Sequence, residues 1–155
     1  TELKPSEIMY KTFDQVHKID YLFNNSSNKI ITVQERFRSA KYLHYGDVVL
    51  RFRGDETRNE YQTIKADYLV YGIVDTDLPV MPNNLLRLTI LDLNKFRQLV
   101  ADKKIVIQEK GKSEIVNGVL HCTIQYSYNT KFIPIKIDLL TQLDPSIILL
   151  DVQND

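Results

Sequence analysis

Residues 66–74 read Ala66-Asp67-Tyr68-Leu69-Val70-Tyr71-Gly72-Ile73-Val74, apolar almost without interruption. A strand with one wet face alternates apolar and polar residues, so a run with no polar face reads as a central strand covered on both sides. On its N-terminal side, residues 47–53 alternate, with Val48, Leu50 and Phe52 facing one way and Val49, Arg51 and Arg53 the other, until Gly54-Asp55-Glu56 breaks the pattern. Residues 61–65 fit a strand or a helical turn equally. Further back, residues 18–23 and 29–38 flank the polar turn Asn24-Asn25-Ser26-Ser27-Asn28, whose side chains bond their own backbone, and the two runs predict a β-hairpin. Pro5-Ser6-Glu7 opens a helix over residues 6–16, with Met9, Phe13 and Val16 at helical spacing.

On the C-terminal side, residues 75–84 form a loop with Pro79 and Pro82, residues 85–91 a strand, and residues 92–103 a helix with Leu93, Phe96, Leu99 and Val100 inward. The last third is richer in strand signals. Residues 104–108 are β-prone, and Asn117-Gly118 between Ile115-Val116 and Val119-Leu120 is the strongest hairpin signal in the chain. Residues 121–128 alternate, with Cys122, Ile124 and Tyr126 on one face. Residues 132–135 pair with them from an edge position, given Pro134. Residues 137–143 make a short helix ended by Pro145. The expectation is an α+β protein: a mixed β-sheet flanked by helices over residues 1–103, with a β-rich C-terminal extension, residues 104–155, packed on the same domain.

Composition bounds the function. With 155 residues, 43% apolar, 26% charged and no net charge, the chain is a soluble globular domain able to bury roughly 70% of its unfolded surface. The single Cys122 excludes an internal disulfide framework and a multi-cysteine zinc site, and fits a reducing compartment. No apolar run approaches a membrane span, and the N-terminus lacks signal-peptide order, so a cytoplasmic protein is expected. Charge is unevenly placed: Lys29, Arg36, Arg38, Lys41, Arg51 and Arg53 cluster against only Glu35 and Asp47. Such a basic sector suits contact with a polyanion, or simply alternates with apolar residues on solvated strand faces.

Phosphate-cradling glycine motifs and the G-x-S-x-G nucleophile motif are absent. His17, His44 and His121 are too dispersed for a zinc enzyme, and His121 and Cys122 point to opposite faces of a strand. The remaining constellation is the first hairpin. Asp20 stands in an apolar strand, where a carboxylate is costly unless it binds something. Period two puts Thr32, Gln34 and Arg36 on one face, and Val33, Glu35 and Phe37 on the other, core-facing one. Carboxylate or amide oxygens from adjacent strands can hold Mg²⁺, which prefers hard oxygen ligands.

A helix, then Ile19-Asp20, a turn, and Gln34-Glu35-Arg36 on the next strand resembles the PD-(D/E)xK nuclease superfamily, in its Q-x-K variant with Arg36 in the lysine position. The likeness extends through residues 65–72 and 88–93, about residues 6–103 in all. It implies a restriction-endonuclease-like fold and a Mg²⁺- (or Mn²⁺-) dependent DNA endonuclease. Asp20 with Gln34 or Glu35 would hold the metal, and Arg36 would stabilise phosphoryl charge. Arg38, Lys41, Arg51, Arg53 and Arg58 would contact DNA phosphates. Glu7 is an additional acid by the same likeness. Enzymes that cut both strands often act as homodimers.

The arginine in the lysine position favours an inactive member that binds nucleic acid, or a protein partner through the C-terminal extension. No proline precedes Asp20, and Arg36 stays protonated and cannot be a general base. Each residue also has a purely structural reading. Asp20 can cap a turn or pair with Lys18 or Arg36, and residues 34–36 can form a salt-bridged strand edge. Arg51 and Arg53 can be a solvated face, and tyrosines such as Tyr42, Tyr45, Tyr61 and Tyr68 can sit at the core's edge.

Overall fold

The computed structural model describes residues 21–24, 27, 29–52, 58–76 and 82–154. The helix expected over residues 6–16, with Glu7, lies outside the described residues, and so do Asp20 and Arg53.

The expected hairpin is present. β1 (Tyr21–Asn24) runs antiparallel to β2 (Ile30–Ser39), with Tyr21 opposite Val33. A 3₁₀ turn (Ala40–Tyr45) ends on Gly46, whose φ of 59° is a left-handed conformation that favours glycine. β3 (Asp47–Arg51) follows, then a single helical turn, α1 (Glu60–Thr63). A full capping box defines the start of α1: Asn59 Oδ1 accepts from the Tyr61 N–H, and Gln62 Oε1 accepts from the Asn59 N–H. β4 (Tyr68–Val74) then returns parallel to β2. Parallel neighbours need a long crossover, and this one carries β3 and α1.

β4 is the middle strand of a five-stranded sheet ordered β1-β2-β4-β5-β11, where β5 is Leu85–Asp92 and β11 is Ile148–Gln153. Leu69, Tyr71 and Ile73 are buried on one face of β4, but on the other Tyr68 and Val70 are only partly buried, so the expected cover on both sides is complete only at Gly72 and Val74. β5 leads directly into α2 (Leu93–Ala101), capped by Asp92 accepting from the Lys95 N–H. β6 (Ile105–Gln108), β7 (Glu114–Val116) and β8 (Val119–Thr123) form a sheet ordered β6-β8-β7. Asn117 and Gly118 make the β7–β8 turn with φ of 52° and 74°. β9 (Gln125–Ser127) and β10 (Thr130–Lys136) join β3 in a third sheet ordered β3-β10-β9. α3 (Ile137–Leu143) precedes β11. One apolar cluster joins Leu69 and Leu91, Leu50 and Ile133, Ile105 and Leu120, Phe96 and Leu140, so all three sheets and both longer helices share a core.

Several expectations need correction. The run 121–128 is two strands in two sheets. The chain crosses between them at Ile124, whose N–H donates to the Gln108 carbonyl. β10 is a middle strand, not an edge. Phe52 N donates to Lys131 O, so alternate residues of β10 address β3 and Pro134 turns its nitrogen the other way. There β9 has already ended, since its last pairing is Gln125 with Phe132. Pro134 therefore costs no ladder bond. β11 was not predicted; it carries a bulge between Ile148 and Leu150 and closes one side of the main sheet. Residues 104–154 thus supply strands to two sheets that begin in residues 21–52. Among the described residues, no helix is long and apolar enough to cross a membrane.

Candidate functional site: a basic, tyrosine-walled groove

Register fixes where the second half of the proposed motif points. Gln34, Arg36 and Arg38 lie opposite Leu69, Tyr71 and Ile73, on the face of the main sheet that meets the core. Val33, Glu35 and Phe37 lie on the other face, where Phe37 is 37% exposed. This reverses the expectation that the Glu35 row faces the core. It also separates Gln34 from Glu35 by the thickness of the sheet, so the two cannot grip the same ion.

Arg36 is held elsewhere. Its Nη2 donates to Glu60 Oε1 at 2.5 Å, while its Nη1 donates to Glu60 Oε2 at 2.7 Å and to the Val49 carbonyl at 2.9 Å. Glu60 is 4% exposed, and its Oε2 also accepts the Arg51 N–H at 2.8 Å. A bidentate guanidinium–carboxylate pair of this kind uses up the fork that a phosphate would need. The role expected of Arg36 beside a phosphoryl group is therefore corrected: it clamps β2 to β3 and α1. Gln34 Nε2 donates to the Glu35 carbonyl at 3.1 Å. Among the described residues there is no group of three or more His, Cys, Asp or Glu able to hold a metal ion. Gln34 and Glu35 do not share an ion, and Asp20, expected to hold the metal with one of them, lies outside the described residues.

The basic residues are where the sequence and the structure meet. Arg38 and Arg51 both line a groove of about 590 Å³, whose floor is the outer face of the β3-β10-β9 sheet. Period two sends Val48, Leu50, Ile133 and Ile135 into the core. The same alternation leaves Asp47, Val49 and Arg51 of β3 and Thr130, Phe132 and Pro134 of β10 on the groove side. One wall is the 3₁₀ turn, with Tyr42 and Tyr45; the far end is Tyr128, at the β9–β10 turn.

Arg38 is preset. Its guanidinium lies 3.8 Å from the centre of the Tyr42 ring, and its Nη1 donates to the Tyr71 hydroxyl at 3.3 Å. Burial works against its charge, but the oxygens of Tyr71 and Tyr42 outweigh it and raise its pKa. Arg51 is pulled down, first by burial and then by the charges of Arg36 and Arg38. Glu60 opposes this only in part. The groove thus gathers cations that repel one another, an arrangement that an anion relieves. Asp47, at the same end as Tyr45, is pushed up by burial against the attraction of Lys136 and Arg38.

Lys41 is exposed, its Nζ 5.2 Å from the Tyr42 ring centre, and Arg58 is exposed at the start of α1; neither lines the groove. Arg38 and Arg51 are among the cations expected from the sequence, whereas Tyr42 and Tyr45 are expected only at the core's edge. The signal available was the interleaving of Tyr42 and Tyr45 with Arg38 and Lys41. That Tyr128 joins them depends on the β10–β3 pairing, which no local pattern reveals. Comparison with family models, with curated proteins and with solved structures finds no match to the chain.

Proposed function

We propose that the chain is a DNA-binding protein on a restriction-endonuclease-like scaffold, and that it binds through the Arg38–Arg51 groove without cutting. The observation that carries the reading is the placing of both arginines, with Tyr42, Tyr45 and Phe132, in one concave surface of nucleotide size. The commitment of Arg36 to Glu60, and the opposed faces of Gln34 and Glu35, favour binding over hydrolysis. Pro134 weighs against the alternative of a peptide partner adding a strand to β10, because its nitrogen offers no hydrogen to an incoming backbone. A cytoplasmic setting fits the lone Cys122, whose buried thiol is pushed up to about 12 and is inert.

The test is fluorescence anisotropy of labelled DNA over a salt series, with and without Mg²⁺. Arg38→Ala and Arg51→Ala should each weaken binding about tenfold, and the double variant should flatten the log K against log salt slope by about 1–2. DNA that is bound but uncut in Mg²⁺ or Mn²⁺ agrees with the proposal. Cleavage lost in Asp20→Ala would restore the nuclease, and an unaffected double variant would remove the groove.

A further inference from the structure

The shape and lining of the groove point to a single strand as its ligand, and we infer that it seats single-stranded DNA lengthwise along β10. This rests on the DNA-binding reading and makes it specific.

The groove follows β10, a seven-residue strand spanning roughly 20 Å. Lys136, at one end, donates through Nζ to the Tyr45 carbonyl; Thr130, at the other, adjoins the turn that bears Tyr128. Tyr45, Phe132 and Tyr128 therefore follow one another along the groove, while Arg38 and Arg51 lie on the β3 side. That is a backbone track with an aromatic row beside it. Stacking needs the faces of bases, which an intact duplex keeps closed and a single strand offers.

Tyr45 packs its ring against His44, with centroids 4.0 Å apart, yet stays half-exposed, and no packing accounts for Tyr128. Tyr45 is 47% exposed and Tyr128 is 103% exposed. Tyr128 also holds a φ of 52°, a left-handed conformation that a turn would more readily give to glycine or asparagine. A bulky aromatic kept in that conformation, in water, at the mouth of a cationic groove has a use other than stability. Tyr126 is a useful contrast. It pairs with Lys131, on the opposite face of the sheet from Phe132, and its hydroxyl donates to Glu109 Oε2 at 3.0 Å. It borders the groove as well, tied by that bond beside the aromatic row.

The experiment compares a labelled twelve-nucleotide oligo-dT with a duplex of the same length at fixed low salt, by anisotropy and by tyrosine fluorescence. The protein has no tryptophan, so quenching of its tyrosines by stacked bases is read directly. Oligo-dT should bind at least about tenfold more tightly than duplex, and quench. Tyr45→Ala and Tyr128→Ala should each cost oligo-dT about 5- to 100-fold, while Tyr45→Phe, and Tyr68→Ala outside the groove, should cost little. Equal or tighter duplex binding, or tyrosine variants that bind oligo-dT as the parent does, would overturn the single-strand assignment and leave the arginine groove standing. Binding of neither DNA would remove the groove itself.

Discussion

At the scale of single residues, two contacts carry measurable weight. The Arg36–Glu60 pair joins three elements through one carboxylate, and Glu60 is almost wholly out of water. A buried ion pair adds little over apolar packing, but removing one partner strands the other. Arg36→Met should therefore lose about 3–5 kcal/mol in urea unfolding. A loss below about 1 kcal/mol would mean that water reaches Glu60. Asp67 shows the opposite balance. Burial disfavours its charge, but the Thr32 N–H and hydroxyl and the Asn94 amide all donate to it, and its pKa falls below the ordinary aspartate range. A carboxyl depressed in the folded state stabilises above its unfolded pKa, and that stability drains away as pH falls through the folded value. The stability gap between the parent and Asp67→Asn should thus hold from pH 7 to about 5 and narrow below about pH 4. A gap that stays constant down to pH 2 would contradict the assignment. Neither contact was legible in the sequence. Local pattern offers Arg36 only partners from its own expected hairpin, whereas Glu60 reaches it across a crossover.

At the scale of elements, the meeting of β2 and β4 has a tight point. Phe37 lies beside Gly72, and a Cβ at residue 72 would stand 2.5 Å from two atoms of the Phe37 ring. The ring is 37% exposed and can swing away, so Gly72→Ala should cost about 1–2 kcal/mol and not unfold the protein. The same change in a Phe37→Ala background should cost a few tenths at most, measured as a double-mutant cycle in denaturant. Full additivity would show that the glycine is needed for some other reason. Elements with a strong local signature were the legible ones: β4 from its unbroken apolar run, α2 from its spacing, the β7–β8 hairpin from Asn117-Gly118. β11 escaped because its burial comes from pairing with β5, and its own side chains are mostly exposed, leaving no clean alternation to read.

At the scale of the whole molecule, local patterns gave the α+β class but not the way the chain weaves. The β-rich tail reads as an addition to a core, yet β10 completes the sheet begun by β3, and β11 extends the sheet of β4 and β5. The groove exists only because of that return: Arg51 and Phe132 lie opposite one another although they are far apart in sequence. Local pattern therefore shows the arginines and not the site they form. The weave also leaves β11 on the outside of the main sheet, with Leu149 51%, Leu150 40% and Val152 45% exposed. A straight outer strand bearing such side chains would be a template on which further molecules could polymerise, edge to edge. The surplus residue at the Ile148–Leu150 bulge bends and twists this one, and Arg87 holds Asp151 as a charge within it. A single residue without a partner across the ladder thus turns this border of the sheet away from such growth.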